Sequence, residues 1–148
     1  MSLESDVHDT FSESRGWPEI LSARQTVAAS PAVYAITTDK AFGRLLGMSG
    51  ILYIGQTRLL GGASDRARLY AYRYSPSSRD KRIRAICDGL AAQGQVLTFR
   101  WQTVSTLFDA QSLEARLLAQ SYSEHYELPP LNHAAPKLRL SNELDRNA

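Results

Sequence analysis

Two short runs of branched and aromatic residues stand out along the chain: Ala32-Val33-Tyr34-Ala35-Ile36-Thr37 and Ile51-Leu52-Tyr53-Ile54-Gly55. Runs of that composition favour the pleated conformation and predict strands at about 32–37 and 51–55. Ser30-Pro31 marks the boundary before the first, because a residue preceding proline is pushed out of helical geometry. The link at 38–50 contains Gly43, Gly47 and Gly50 and is too long for a tight turn. It reads as a recognition loop with one helical turn near 41–46.

Downstream, Gln56 to Gly62 is a flexible approach to a helix with Ser64 or Asp65 as its N-cap. That helix carries Arg66, Arg68, Tyr70 and Tyr72, loosens near 72 and stops at Ser75-Pro76-Ser77-Ser78. From Arg79 to Gln93, the residues Ile83, Ile86, Cys87 and Leu90 repeat at helical spacing, and Gly94 is placed as the stop. Residues 96–104 alternate: Leu97, Phe99 and Trp101 on one side, Thr98, Arg100 and Gln102 on the other. They predict a third strand with one covered face. A last helix starts near Asp109, with Ala110, Leu113, Leu117, Leu118 and Tyr122 as its apolar side, and ends before Pro129-Pro130. Leu131-Asn132-His133 closes the compact part.

The flanks are weaker in pattern. The first dozen residues read as frayed, and Trp17-Pro18 with Ile20 and Leu21 as a short segment packed back on the domain. This divides the chain into an N-terminal extension (1–30), a folded domain (31–133) and a polar tail (134–148). The order β–β–α–α–β–α predicts an α+β domain: a small, three-stranded, mainly antiparallel sheet with flanking helices, since the strands are too close for helical crossovers.

At 148 residues the chain suits a single core, and 43% hydrophobic with 22% charged residues is ordinary for a globular protein. No apolar run approaches the roughly 20 residues of a membrane span, and the acidic N-terminus lacks a secretory pattern. One cysteine, Cys87, excludes an internal disulfide; it reads as a small core residue, and a reducing, cytoplasmic setting is expected. His8, His125 and His133 are too scattered for a zinc site with Cys87, and no phosphate-binding glycine motif of the nucleotide-hydrolase type is present.

The net charge of +2 is unevenly spread. Arg58, Arg66, Arg68, Arg73, Arg79, Lys81, Arg82 and Arg84 face only Asp65 and Asp80 within 58–84, whereas residues 1–20 are acidic. Arginine outnumbers lysine fourteen to three. Such a segment suits a polyanion, and arginine suits bidentate phosphate contacts; a solvated helix face gives the same pattern.

Chemistry enters with the two tyrosines. A strand tyrosine is ordinarily a half-buried packing residue. If the two runs pair, however, Tyr34 and Tyr53 lie within about 5 Å on one face, and the following helix can bring an arginine beside them. Glu114, flanked by core leucines, adds a carboxylate at the edge of a packed helix, a hard oxygen ligand for Mg²⁺ or Mn²⁺. On its own it would be a first-turn charge favourable to the helix dipole.

In this order the motifs resemble the GIY-YIG nuclease superfamily. Ala32-Val33-Tyr34 stands where the family has Gly-Ile-Tyr, and Tyr53-Ile54-Gly55 matches its second motif. Arg68 followed by Tyr72 is similar to its helix arginine and partner; Arg66 with Tyr70 has the same spacing, and Arg68 is preferred because Leu69 follows it. Glu114 in Leu-Glu-Ala resembles the helix glutamate, and Asn132 in Pro-Pro-Leu-Asn the closing asparagine. The resemblance spans about residues 31–133. Its departures are Ala32 for glycine, a long link between the tyrosine motifs that suggests a substrate-specific insertion, and a long gap from Glu114 to Asn132.

The resemblance implies an endonuclease hydrolysing phosphodiester bonds with one Mg²⁺ or Mn²⁺ held by Glu114. Its substrate is nucleic acid, double-stranded DNA in the first place. It implies Tyr34 as general base, Arg68 as phosphoryl donor, Tyr53 and Tyr72 as positioning groups and Asn132 as an anchor. The expected nucleic-acid face is Arg58, Arg66, Arg73, Arg79, Lys81, Arg82 and Arg84. Two other readings stay open: a non-catalytic nucleic-acid-binding module on the same scaffold, and a ribonuclease or toxin component. The biological role and oligomeric state are left undetermined by the sequence.

Overall fold

In the computed structural model, which describes residues 2–132, the chain forms an α+β fold. A four-stranded antiparallel sheet carries helices on both faces. In chain order the elements are α1 (Leu3–Thr10), β1 (Glu13–Gly16), α2 (Trp17–Ser22), β2 (Ala32–Gly43), β3 (Met48–Thr57), α3 (Arg68–Tyr74), α4 (Ser78–Ala92), β4 (Leu97–Thr103) and α5 (Leu107–His125). Short 3₁₀ turns lie at Arg24–Thr26 and Pro130–Asn132. The expected tail at 134–148 and His133 lie outside the described residues.

The sheet order is β1-β4-β2-β3. β2 is central, so its residues from Ala32 to Thr38 are buried on both sides, as a doubly covered strand requires. On one face Val33, Ala35, Ile51 and Ile54 pack with Leu3 and Val7 of α1 and Ala110 and Leu117 of α5. On the other, Tyr34, Ile36, Phe99 and Trp101 pack with Trp17 and Ile20 of α2, Leu69 and Tyr72 of α3, and Ile83 and Cys87 of α4. Burial, aided by neighbouring Asp88, pushes the Cys87 thiol up to about 12, so it is an unreactive core group.

Several expectations need correction. The sheet has four strands, not three, because Glu13–Gly16 pairs with β4 in register Ser14 to Arg100. The first dozen residues are not frayed: Ser2 caps α1, and Leu3, Val7 and Phe11 are core residues. Glu4 fixes the helix to β3 by accepting from Ser49 Oγ and Gly50 N. The 38–50 link is neither a long loop nor a helical turn. After register shifts between Ile36 and Phe42, β2 and β3 continue as a hairpin to Gly43 and Met48. Its tip closes on Gly47, whose φ of +75° suits glycine, and Arg44 ties it to Glu127 and the Leu128 carbonyl.

Helix boundaries shift for local reasons. Ser64 caps a preceding turn by accepting from Arg66 N, so α3 begins only at Arg68 and runs on through 72 to Tyr74. Helix α5, expected to start near Asp109, begins at Leu107 with Thr106 as its N-cap. Tyr122, expected on its apolar side, is 60% exposed.

Candidate active site

Antiparallel pairing places Tyr34 opposite Gly55 on β3 and Trp101 on β4, and Ile36 opposite Tyr53. Directly paired residues share a face, so both motif tyrosines point to the side covered by α3 and α4. Their rings lie 5.9 Å apart, and Tyr34 stacks on Phe99 at 5.0 Å. Gly55 allows this approach. A Cβ there would stand 2.6 Å from Tyr34 Cζ and 2.7 Å from Tyr53 Cε1, so any side chain would displace both phenols.

Helix α3 supplies the next two groups at i and i+4, which share one helix face. Tyr72 Oη lies 2.7 Å from Tyr34 Oη in a fully buried hydrogen bond, and its ring meets Trp17 edge-on at 5.7 Å. The Arg68 guanidinium lies 4.4 Å over the Tyr72 ring and forms a salt bridge with Asp80. Tyr34, Tyr53, Arg68 and Tyr72 are thus gathered in one cluster. Arg66, the alternative with equal spacing, is exposed on the outside.

Asp80 was not singled out by the sequence, although it completes the cluster. It sits in the first turn of α4 and is only 5% exposed. Ser77 Oγ, the N-cap, accepts from Asp80 N at 3.2 Å. The Ser77-x-x-Asp80 capping pattern was the available signal. Burial alone would push this carboxyl up; the Arg68 charge and hydrogen bond, with those of Ser77 and Ser75, outweigh it and hold the carboxyl below its ordinary range. For Arg68 burial works against the charge, yet the Asp80 carboxylate beside it keeps it firmly protonated. Its Nε remains buried without a hydrogen-bond partner among the described residues.

The phenols of Tyr53 and Tyr72 are both held above the usual tyrosine range, chiefly by burial and then by neighbouring tyrosines; Arg68 pulls against both shifts and Arg79 against that of Tyr53. At neutral pH both are therefore hydroxyl donors rather than bases. Arg79, an exposed residue at the start of α4, reaches Tyr53 Oη at 3.4 Å.

Glu114 comes from the opposite helical layer. It is half-buried on α5, and its charge contributes to raising the Tyr53 phenol, which places it within electrostatic reach of the cluster. Asn132 is buried and grips an edge strand. Its Oδ1 accepts from Ile54 N at 2.9 Å and its Nδ2 donates to Ile54 O at 2.6 Å. Those backbone groups lie on β3, the last strand of the sheet, where among the described residues no neighbouring strand serves them. Asn132 therefore fixes the strand between Tyr53 and Gly55.

Of the expected nucleic-acid face, Arg58, Arg66, Arg73, Arg79, Lys81 and Arg82 are exposed. Arg84 turns inward instead, donating to the Tyr72 and Arg73 carbonyls at 2.8 and 2.9 Å, where it satisfies the end of α3.

No protein-family model, curated protein or solved structure matches this chain. Among the described residues no helix is long and apolar enough to cross a membrane. No group of three His, Cys, Asp or Glu side chains gathers there as a metal cluster. A cage of protein ligands is not the only way to hold a hard cation, since Mg²⁺ is commonly bound by one or two carboxylates with substrate phosphates and water. Glu114, an anionic oxygen donor whose charge reaches the Tyr53 phenol, is the candidate for that second type.

Proposed function

We propose that the protein is a divalent-metal-dependent endonuclease of the GIY-YIG type, hydrolysing phosphodiester bonds in nucleic acid, with DNA as the first substrate. One observation carries this reading. Arg68 is pinned by Asp80 and stacked on Tyr72 beside three phenols, yet its Nε donor has no partner among the described residues. A buried donor left unpaired costs about 1–3 kcal/mol and calls for an explanation. A substrate phosphoryl oxygen is the acceptor that a fixed guanidinium suits best.

In this scheme Arg68 stabilises negative charge on the phosphoryl oxygens as the bond breaks. Tyr72 keeps its proton and donates to Tyr34 Oη, and Tyr34 acts as a concerted relay, passing its own proton to a phosphoryl oxygen as it takes one from the attacking water. Tyr53 and Arg79 orient the phosphate at the rim. Glu114 would hold Mg²⁺ or Mn²⁺, which when bound supplies charge neutralisation at the phosphate and at the leaving oxygen. Tyr34 is fully buried behind its neighbours, so substrate engagement has to open a path to it; catalytic hydrogen bonds characteristically tighten only in the substrate complex.

Incubation with supercoiled plasmid, single strands, branched duplexes and RNA, with and without Mg²⁺, tests the reading. Metal-dependent nicking of DNA is expected, and mapped product ends define the bond cut. Binding without cleavage would instead mark a non-catalytic module, and cleavage confined to RNA a ribonuclease. The six exposed basic residues also predict steep salt dependence of duplex binding. The slope of log K against log salt should be about −3 to −5, at up to roughly −0.9 per phosphate neutralised. A flat titration would remove the basic surface from the nucleic-acid interface.

A further inference from the structure

Helix α3 has two functional-looking faces. Arg68 and Tyr72 point into the cluster, while Tyr70 and Tyr74, also at i and i+4, lie on another side of the helix. Their rings are in contact, 4.7 Å apart between centroids and tilted by 46° to one another. Guanidiniums flank the pair: Arg24 lies 4.8 Å from the Tyr70 ring centre and Arg73 5.5 Å from that of Tyr74. Both arginines are fixed, Arg24 by donating to the Gly62 carbonyl at 3.0 Å and Arg73 by donating to that of Leu21 at 3.3 Å. Tyr74 is 54% exposed. The result is an ordered aromatic step with cationic sides and one open ring.

A scattered surface tyrosine needs no explanation, but this one is prepared for a particular occupant. Its Arg neighbours and the exposed Arg66, Arg79, Lys81 and Arg82 nearby in sequence disfavour an apolar or cationic partner and favour a polyanion. Within polyanions, a flat aromatic surface adds binding only where a planar group can be laid upon it, and a base inside a duplex is already stacked on its neighbours. Single-stranded nucleic acid is held by this combination, with stacked aromatics for the bases and cations for the backbone. Arg68 and Tyr74 are six residues apart, about 9 Å along the helix axis, or roughly three stacked nucleotides of one strand.

We propose that the Tyr70–Tyr74 step on α3 receives an unpaired base of a nucleic-acid substrate, a few nucleotides from the phosphodiester addressed by Arg68. The inference rests on the nucleic-acid reading above and narrows its substrate class to duplexes that carry an unpaired or displaced base, such as bulges, flaps and branch points.

The test uses the full chain in EDTA, so that binding is read without cleavage. Probes are a fully paired duplex and the same duplex carrying one bulged 2-aminopurine, whose fluorescence falls when it stacks. The bulged duplex should bind about 5- to 100-fold more tightly, the range one stacked base confers, with quenching. Tyr74→Ala should reduce its affinity to that of the paired duplex and abolish the quenching. Tyr74→Phe, which keeps the ring, should retain both. Equal binding of the two probes by the unaltered protein, or an undiminished preference in Tyr74→Ala, would overturn the stacking step while leaving the nuclease reading intact. Failure to bind either probe at low salt would overturn both.

Discussion

Arg68→Ala is expected to lose both cleavage and stability. The guanidinium forms a salt bridge with Asp80, which is only 5% exposed. Removing one partner of such a pair leaves the other charge buried and uncompensated, at about 3–5 kcal/mol. Cleavage should fall by about 10²- to 10³-fold, the scale for loss of one preorganised donor to a developing charge. Arg68→Lys separates the two effects. It keeps the charge but not the planar fork, so it should restore much of the stability and little of the activity.

The same pair predicts a pH signature. In the native protein the Asp80 carboxyl is held below its ordinary range. Its stabilising contribution is therefore complete above the unfolded value of about 3.9 and is lost as pH falls through the native value. In Arg68→Ala burial acts on Asp80 without the opposing cation. Only the Ser77 and Ser75 hydrogen bonds still oppose burial there, so the carboxyl lies higher than in the parent and its pH-dependent stabilisation shrinks. Urea unfolding should show a wide gap between variant and parent at pH 7 that narrows below about pH 4. A gap independent of pH would separate the destabilisation from Asp80.

Glu114→Ala carries the second large effect. It should abolish Mg²⁺-dependent cleavage while changing unfolding free energy by no more than about 1 kcal/mol, as for other half-exposed helix positions. Glu114 is a carboxylate of α5 whose charge reaches the Tyr53 phenol. Initial cleavage rates across a Mg²⁺ titration decide the point. Normal rates at limiting Mg²⁺ would remove Glu114 from the metal site.

The parts of the fold that were legible in the sequence are those whose own composition decides their structure. Residues 32–36 and 51–55 are branched and aromatic; Ile83, Ile86, Cys87 and Leu90 repeat at helical spacing; Leu97, Phe99 and Trp101 alternate. What was missed depends on partners elsewhere. Glu13-Ser14-Arg15-Gly16 has no strand pattern and is extended because the free edge of β4 pairs with it. In α1 the Leu3, Val7 and Phe11 spacing was present, but acidic neighbours obscured it. The hairpin runs on to Gly43 because its tip is tied to residues some 80 positions away, Glu127 and Leu128.

The site divides in the same way. Tyr34, Tyr53, Arg68 and Tyr72 converge because strand pairing and the i, i+4 rule are local geometry, which the motif order already encoded. The burial of Asp80 was not legible. Its position as the third residue of a capped helix was visible in Ser77-Ser78-Arg79-Asp80, whereas its contact with Arg68 depends on how α4 crosses α3. The inward turn of Arg84 has the same origin, since its partners are the last carbonyls of α3.

Single-turnover cleavage of a labelled DNA duplex by Tyr34→Phe tests the central claim most directly. Only one hydroxyl is removed and the ring stack on Phe99 is kept, so the fold should be retained, at a stability cost of about 1–3 kcal/mol for the Tyr72 hydroxyl left unpaired. If the buried phenol is the proton acceptor, the rate falls by about 10²-fold or more with an unchanged circular dichroism spectrum. Turnover within a few-fold of the parent, in a variant folded to the same degree, would contradict it.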